Sequence, residues 1–149
     1  MNLHPDFPVV EGRFRLTREW ELDLPGKFNR RMEDGDMVLW RPGLTLWIAV
    51  WGPEAGKTPE ETLAWILEDA SRDRIGERID RNGDLIRLTY RLQEEDPERA
   101  PANYTSISGY VIAPCGHVQI TAYSDDAEAE NTGDQVIGSV RRYAGSSGS

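Results

Sequence analysis

Three short stretches of this sequence carry residue types that do chemistry. The first is WGPEAGKTPEE (Trp51–Glu61), where Gly56-Lys57-Thr58 stands just before a helical pattern, as in a phosphate-binding loop. Such a loop needs G-x-x-x-x-G-K-[ST] between a strand and a helix, so that successive backbone N–H groups wrap the phosphates. Here Gly52-Pro53-Glu54-Ala55-Gly56 is one residue short, and Trp51 stands where the first glycine belongs. Glu54 would place a carboxylate inside the anion nest, Pro59 has lost its backbone donor, and Thr58 has a helix-capping role. The residues preceding Gly52 also fit a tight antiparallel hairpin, whereas phosphate-loop strands lie in parallel sheets. Nucleotide binding at 52–58 is therefore the reading that the sequence argues against.

The second stretch is Cys115-Gly116-His117, a thiol and an imidazole around a glycine. A Cys/His catalytic pair needs hydrogen-bond contact and a third group to orient the base. No nearby residue plainly orients the ring, so the expected roles are a turn cysteine and a strand-edge histidine. The third, Asp80-x-Asn82-x-Asp84, has the opening of a calcium loop but places its glycine at the wrong offset. Arg91 stands where the bidentate glutamate belongs. The acidic groups at 94–96 and 125–130 fit a solvated loop and a helix N-terminus. With only two histidines, His4 and His117, and one cysteine, neither a multi-histidine nor a multi-thiolate metal site is available. No catalytic residues, metal or cofactor are expected.

The whole chain sets the frame for these stretches. Its 149 residues suit one domain over 1–144, with GSSGS at 145–149 as a flexible tail. The hydrophobic content of 38%, including five tryptophans, is that of a folding chain. A net charge of −9 disfavours nucleic acid and anionic membrane surfaces, and favours a partner with a basic face. Lys27 and Lys57 are the only lysines among 17 basic residues, a bias that fits GC-rich bacterial coding. No apolar run approaches the roughly 18 residues of a membrane span. The N-terminus lacks the basic-then-apolar pattern of a signal peptide, so the expected compartment is the cytoplasm.

The elements that would position any site follow from period and turn chemistry. Residues 13–24 alternate as a half-buried strand, interrupted near 17–19, which Pro25-Gly26 ends; residues 27–34 read as polar connection. In DMVLWRPGLTLWIAVW (Asp36–Trp51), Pro42-Gly43 suits the centre of a type II turn and pairs Trp40 with Thr45 and Val38 with Trp47. Met37, Leu39, Leu44, Leu46, Ile48 and Val50 then share one face; Val38, Trp40, Trp47, Ala49 and Trp51 share the other. Such a hairpin is either covered on both sides or displays its aromatics.

Thr58-Pro59-Glu60-Glu61 opens a helix with a capping box, and Leu63, Ile66, Leu67 and Ala70 form its apolar stripe. Arg72 and Arg74 would close it. Asn82-Gly83 predicts a hairpin pairing Ile79 with Ile86, with Ile75, Ile79, Ile86, Leu88, Tyr90 and Leu92 on one face. An acidic, proline-bearing loop spans 93–103. Two β-rich runs flank Pro114-Cys115-Gly116. A helix capped by Asp125 or Asp126 follows, with the stripe Ala129, Thr132, Val136, Val140 and Tyr143, and with Arg141 and Arg142 in its last turn. The expected fold is α+β, a single antiparallel sheet of about six or seven strands flanked by two helices, in the order βββαββββα.

The opening FRLTREWELDLPGKF (Phe14–Phe28), followed by a hairpin, a helix, a run of antiparallel strands and a closing helix, resembles the small PsbP-like/DcrB-like domains. That resemblance implies an antiparallel sheet flanked by helices, and a binding or accessory module instead of an enzyme. The leading expectation is a non-catalytic protein that binds another protein, as an accessory, chaperone-like or immunity-type factor, through Trp40, Trp47 and Trp51. The second is a small-molecule-binding domain or small enzyme with a pocket between sheet and helix, for which Cys115 and His117 are the candidate groups.

Overall fold

The structure is a computed structural model that describes residues 3–98 and 103–143, with Asn103 described by its backbone alone. The tail expected over 145–149 and residues 99–102 of the proline-bearing loop lie outside the described residues. The described chain forms β1 (Val9–Arg15), β2 (Trp20–Glu33), β3 (Asp36–Arg41), β4 (Leu44–Trp51), α1 (Pro59–Asp69), β5 (Ile75–Asn82), β6 (Leu85–Glu95), β7 (Asn103–Ala113), β8 (Gly116–Ser124), α2 (Ala127–Ser139) and β9 (Arg141–Arg142). One sheet runs β1-β2-β3-β4-β8-β7-β6-β5, with β9 on β2, and every pairing is antiparallel. The class is α+β as expected, with nine strands in place of six or seven. Among the described residues no helix is long and apolar enough to cross a membrane.

The two additional strands are the division of the expected first strand at 17–19 and β9, beyond α2. The interruption at 17–19 is a full reversal: Phe14 faces Leu22, and the turn is held by the Leu16 N–H donating to the Trp20 carbonyl at 2.9 Å. It contains no Gly, Pro or Asn; the Thr17 hydroxyl caps it by accepting from the Glu19 N–H at 3.1 Å. Pro25-Gly26 lies inside β2, where the register with β1 shifts, without ending the strand, and residues 29–33 pair with β3. The reversal after them is Asp34-Gly35, with φ of 50° and 88° at its two central positions, as a type I′ turn requires.

The Pro42-Gly43 register stands as expected, with Trp40 opposite Thr45 and Val38 opposite Trp47. The Asn82-Gly83 register does not. Gly83 and Asp84 are the central turn residues, Gly83 alone has positive φ (62°), and Ile79 pairs with Leu88. Two residues of slip preserve the facing, because side chains alternate with period two. Ile79, Ile86, Leu88, Tyr90 and Leu92 keep one face, while a register shift between Ile75 and Arg78 leaves Ile75 exposed. Residues 93–95 and 103 belong to β6 and β7 and not to a loop.

The helices take opposite faces of the sheet. On β7, Ile107, Val111 and Ala113 point into the core beneath α2, while Tyr110 and Ile112 point to the cluster beneath α1. The α1 capping box is formed as expected, with the Thr58 hydroxyl and Glu61 satisfying each other's backbone N–H groups. Asp126 caps α2. The expected cationic ends are absent. α1 stops at Asp69, before Arg72 and Arg74, and α2 stops at Ser139, so Arg141 and Arg142 form β9. α2 buries Gly133, Val136 and Ile137; Val140 is its C-cap, and Tyr143 lies beyond it.

Ile137 rests directly on Gly109 of β7, where an added Cβ would lie within 2.4 Å of Ile137 Cγ2. Gly109→Ala therefore either displaces α2 or strains Ile137, at a cost of about 1–3 kcal/mol. Urea denaturation reads this as a lower midpoint at unchanged slope.

At the start of β2 Glu21 is buried, with 3% of its side chain exposed, and it accepts from Arg13 and from Arg141 at 2.8 Å. The Arg13 hydrogen bond holds the Glu21 carboxyl below its usual range, against the opposite effect of burial, and Arg141 adds to it. The Arg141 hydrogen bond likewise lowers Asp23. Folded values below the unfolded ones mean stabilisation that is complete above the unfolded pKa, near 4, and lost as pH falls through the lower folded value. Thermal melts should show stability falling on the acid side of about pH 4, and Glu21→Gln should shrink that acid limb.

Candidate functional site

α1 covers only the β6–β7 part of its face. Beside it, a cavity of about 460 Å³ opens between the helix and the strands, within the range of small-ligand pockets. Tyr90 and Leu92 of β6, Tyr110 of β7 and His117 and Gln119 of β8 form its floor. Thr62, Trp65, Ile66 and Asp69 of α1 form one wall, and Trp51 with the Gly52–Lys57 loop forms the other.

Local geometry places each of these groups. Trp51 is the cross-strand partner of His117, and their rings stack at 6.0 Å and 19°. The β7–β8 turn can close against the end of β4 because residue 116 is glycine: with φ of 130°, an added Cβ would lie 2.0 Å from the Trp51 carbonyl oxygen. Lys57 donates to Glu54 at 2.7 Å, and its amine lies 5.2 Å from the centre of the Trp65 ring. Trp51 and Trp65, both more than half exposed (52% and 55%), stand at the mouth.

The inner groups are polar and uncharged. Burial pushes His117 below its ordinary value, with Glu54 pulling weakly the other way, so the ring is neutral at pH 7. Burial raises the Tyr110 phenol far above its usual range, helped by Tyr90 and by the Asp69 carboxylate. Both keep hydrogen-bonding capacity without charge. Among the described residues no three His, Cys, Asp or Glu side chains gather as a metal set would.

The residues singled out in the sequence separate into three places. Trp40, Trp47 and Trp51 do share a face, as the register requires. Trp40 and Trp47 are partly buried beneath the chain's own groups. Phe7 meets Trp40 edge-on at 5.0 Å, and the Arg31 guanidinium lies 4.6 Å from the Trp40 ring and 5.9 Å from Trp47. Asn29, fully buried, fixes the segment carrying Phe7: it accepts from the His4 N–H at 2.7 Å and donates to the Phe7 carbonyl at 3.2 Å. Trp51 alone of the three lines the cavity.

Cys115 and His117 lie apart. Cys115 packs against the core beneath α2, and burial, with Glu19 beside it, raises its thiol pKa, the opposite of an activated nucleophile. His117 faces the α1 cavity. At the GKT loop, β4 runs antiparallel to both of its neighbours and Lys57 is occupied by Glu54. The sequence reading missed Trp65, Tyr110 and Gln119. The alternation of β8 that buries Val118 and Ile120 implies the outward facing of His117 and Gln119, but which element roofs them is not encoded in that period.

A proton NMR titration of the His117 ring should give a midpoint below the ordinary imidazole value of about 6.5. Glu54→Gln should lower it further, since that carboxylate favours the charged ring. A midpoint at or above the ordinary value would mean that the ring is not enclosed as described.

No protein-family model matches this chain, and no curated protein does. Among solved structures it is similar to a crystal structure from Bacteroides thetaiotaomicron VPI-5482, with a TM-score of 0.67 at 10% sequence identity, covering 92% of this chain and 50% of that one. The likeness is one of fold alone, and this chain spans about half the length of that neighbour.

Proposed function

We propose that this chain is a non-catalytic binding module that holds a small, ring-bearing, neutral or cationic molecule in the cleft between α1 and the sheet. The observation that carries the reading is the convergence of two exposed tryptophans, Trp51 and Trp65, above an uncharged hydrogen-bonding floor of His117, Gln119 and Tyr110. Flat rings stack on the indoles, and the floor groups fix orientation. Asp69 in the wall and the net charge of −9 work against anions. The separation of Cys115 from His117 favours binding over thiol catalysis. The resemblance to PsbP-like/DcrB-like modules points the same way.

A second reading rests on the exposure of that tryptophan pair. A partner protein with a basic face would insert an aromatic or apolar side chain between Trp51 and Trp65, which moves the expected protein-binding site from Trp40 and Trp47 to this mouth.

Tryptophan quenching and thermal shift against sugars, nucleosides and aromatic amines test the first reading. A true ligand at 100 times its Kd stabilises the fold by about 2.7 kcal/mol. Trp51→Ala and Tyr110→Phe should weaken that shift at least tenfold in ligand concentration, and Trp40→Ala should leave it in place. Lack of response across the panel, with cross-linking from position 65 yielding a protein adduct that Trp51→Ala abolishes, would favour the second. ATP should give no shift, because Lys57 is held by Glu54.

A further inference from the structure

The other face of the sheet carries a second cavity, of about 470 Å³, between α2 and the β5–β6 hairpin. Arg87 projects there from β6, opposite Asp80 of β5 and Val111 of β7. The two carboxylates of the lining are already engaged. Asp80 accepts from Arg78 at 3.1 Å, and Asp134 of α2 accepts from Arg91 at 2.8 Å. Arg87 is the cation left over. Its Nη1 is shielded from solvent with no hydrogen-bond partner, one of two such buried side-chain atoms among the described residues. Burial works against its charge while Asp80 supports it.

A guanidinium stays charged, so the protein cannot relieve this by deprotonation. An unpartnered buried donor is costly, and structures retain such groups where something else satisfies them. The neutral donors and acceptors around it, Thr89 of β6 and Asn131 and Gln135 of α2, suit the polar body of a ligand. We propose that this cavity is an oxyanion site, separate from the α1 cleft, that takes a small carboxylate-bearing molecule on the Arg87 guanidinium. One free cation beside an engaged Asp80 compensates a single negative charge and not two, so a monocarboxylate fits better than a phosphate dianion.

The test is an NMR titration of the full chain with sodium acetate and with inorganic phosphate, at matched ionic strength. Acetate should shift the Arg87 Nε–H and the Thr89 and Gln135 amides saturably, with phosphate weaker. Arg87→Gln should abolish the response, and Asp80→Asn, which removes a competing negative charge, should tighten it several-fold. Non-saturating shifts, or shifts retained in Arg87→Gln, would overturn the proposal. Arg87→Met reads the same feature without a ligand: an apolar replacement of a part-buried guanidinium with one unsatisfied nitrogen should raise the melting temperature by about 2–4 °C. A lower melting temperature would show that Arg87 is already satisfied within the fold and would remove the basis of the site.

Discussion

The absence of a side chain at Gly109 governs much of this structure. Ile137 of α2 occupies the space where a Cβ would stand, and a Cβ added at Gly133 on the same helix would lie 3.0 Å from that of Ala122. Two glycines, one on the strand and one on the helix, let α2 sit low on the sheet, and the interior behind it becomes continuous. Trp20, Phe28, Leu39, Leu46, Ile107, Ile120, Val136 and Ile137 all belong to one buried cluster. Fully burying side chains of this kind is worth about 1.5–3 kcal/mol each. The low seat also fixes where α2 ends. The chain leaving it is close enough to β2 for Arg141 and Arg142 to pair with it, and Arg141 then reaches Glu21 and Asp23.

The opposite face is built with less cover. α1 is held at its start by the capping box and by the Glu60–Arg81 pair, and its stripe of Leu63 and Ile66 reaches Ile86, Leu88 and Ile112. An eleven-residue helix cannot span a sheet this wide. The uncovered strip is divided between two solutions. Near β2 and β3 the chain roofs itself, with Asn29 anchoring the turn that lays Phe7 on Trp40. Near β8 no described segment supplies such cover, and the outward residues of β8, with Trp51 and α1, enclose the cleft. Site and scaffold thus arise from one mismatch of helix length with sheet width.

Electrostatics follows the same division. Charges beside the α2 core are engaged: Arg91 lies between Glu130 and Asp134, and Glu21 between two arginines. The α1 cleft keeps its inner groups neutral by enclosure. Arg87 belongs to neither pattern, a guanidinium at the flank of α2 whose neighbouring carboxylates serve other arginines.

Local chemistry was enough to determine the hairpin at Pro42-Gly43, the capping of α1 by Thr58 and Glu61, the two β-rich runs around Pro114-Cys115-Gly116, and hence the α+β class. Each depends on a few adjacent residues whose backbone preferences and period act before anything packs. The common facing of Trp40, Trp47 and Trp51 was legible for that reason. Their different fates were not, because Phe7, Arg31 and His117 meet them only after distant segments come together. The reversal at 17–19 was legible only as an interruption, for want of glycine or proline, and the Gly83-Asp84 register was not legible because Asn-Gly permits two turn frames. Which face each helix covers, how low α2 rides, and therefore where the cleft and the unsatisfied Nη1 of Arg87 lie, were decided by tertiary packing alone: these depend on the fit of surfaces far apart in the chain, and residue spacing carries no information about that fit.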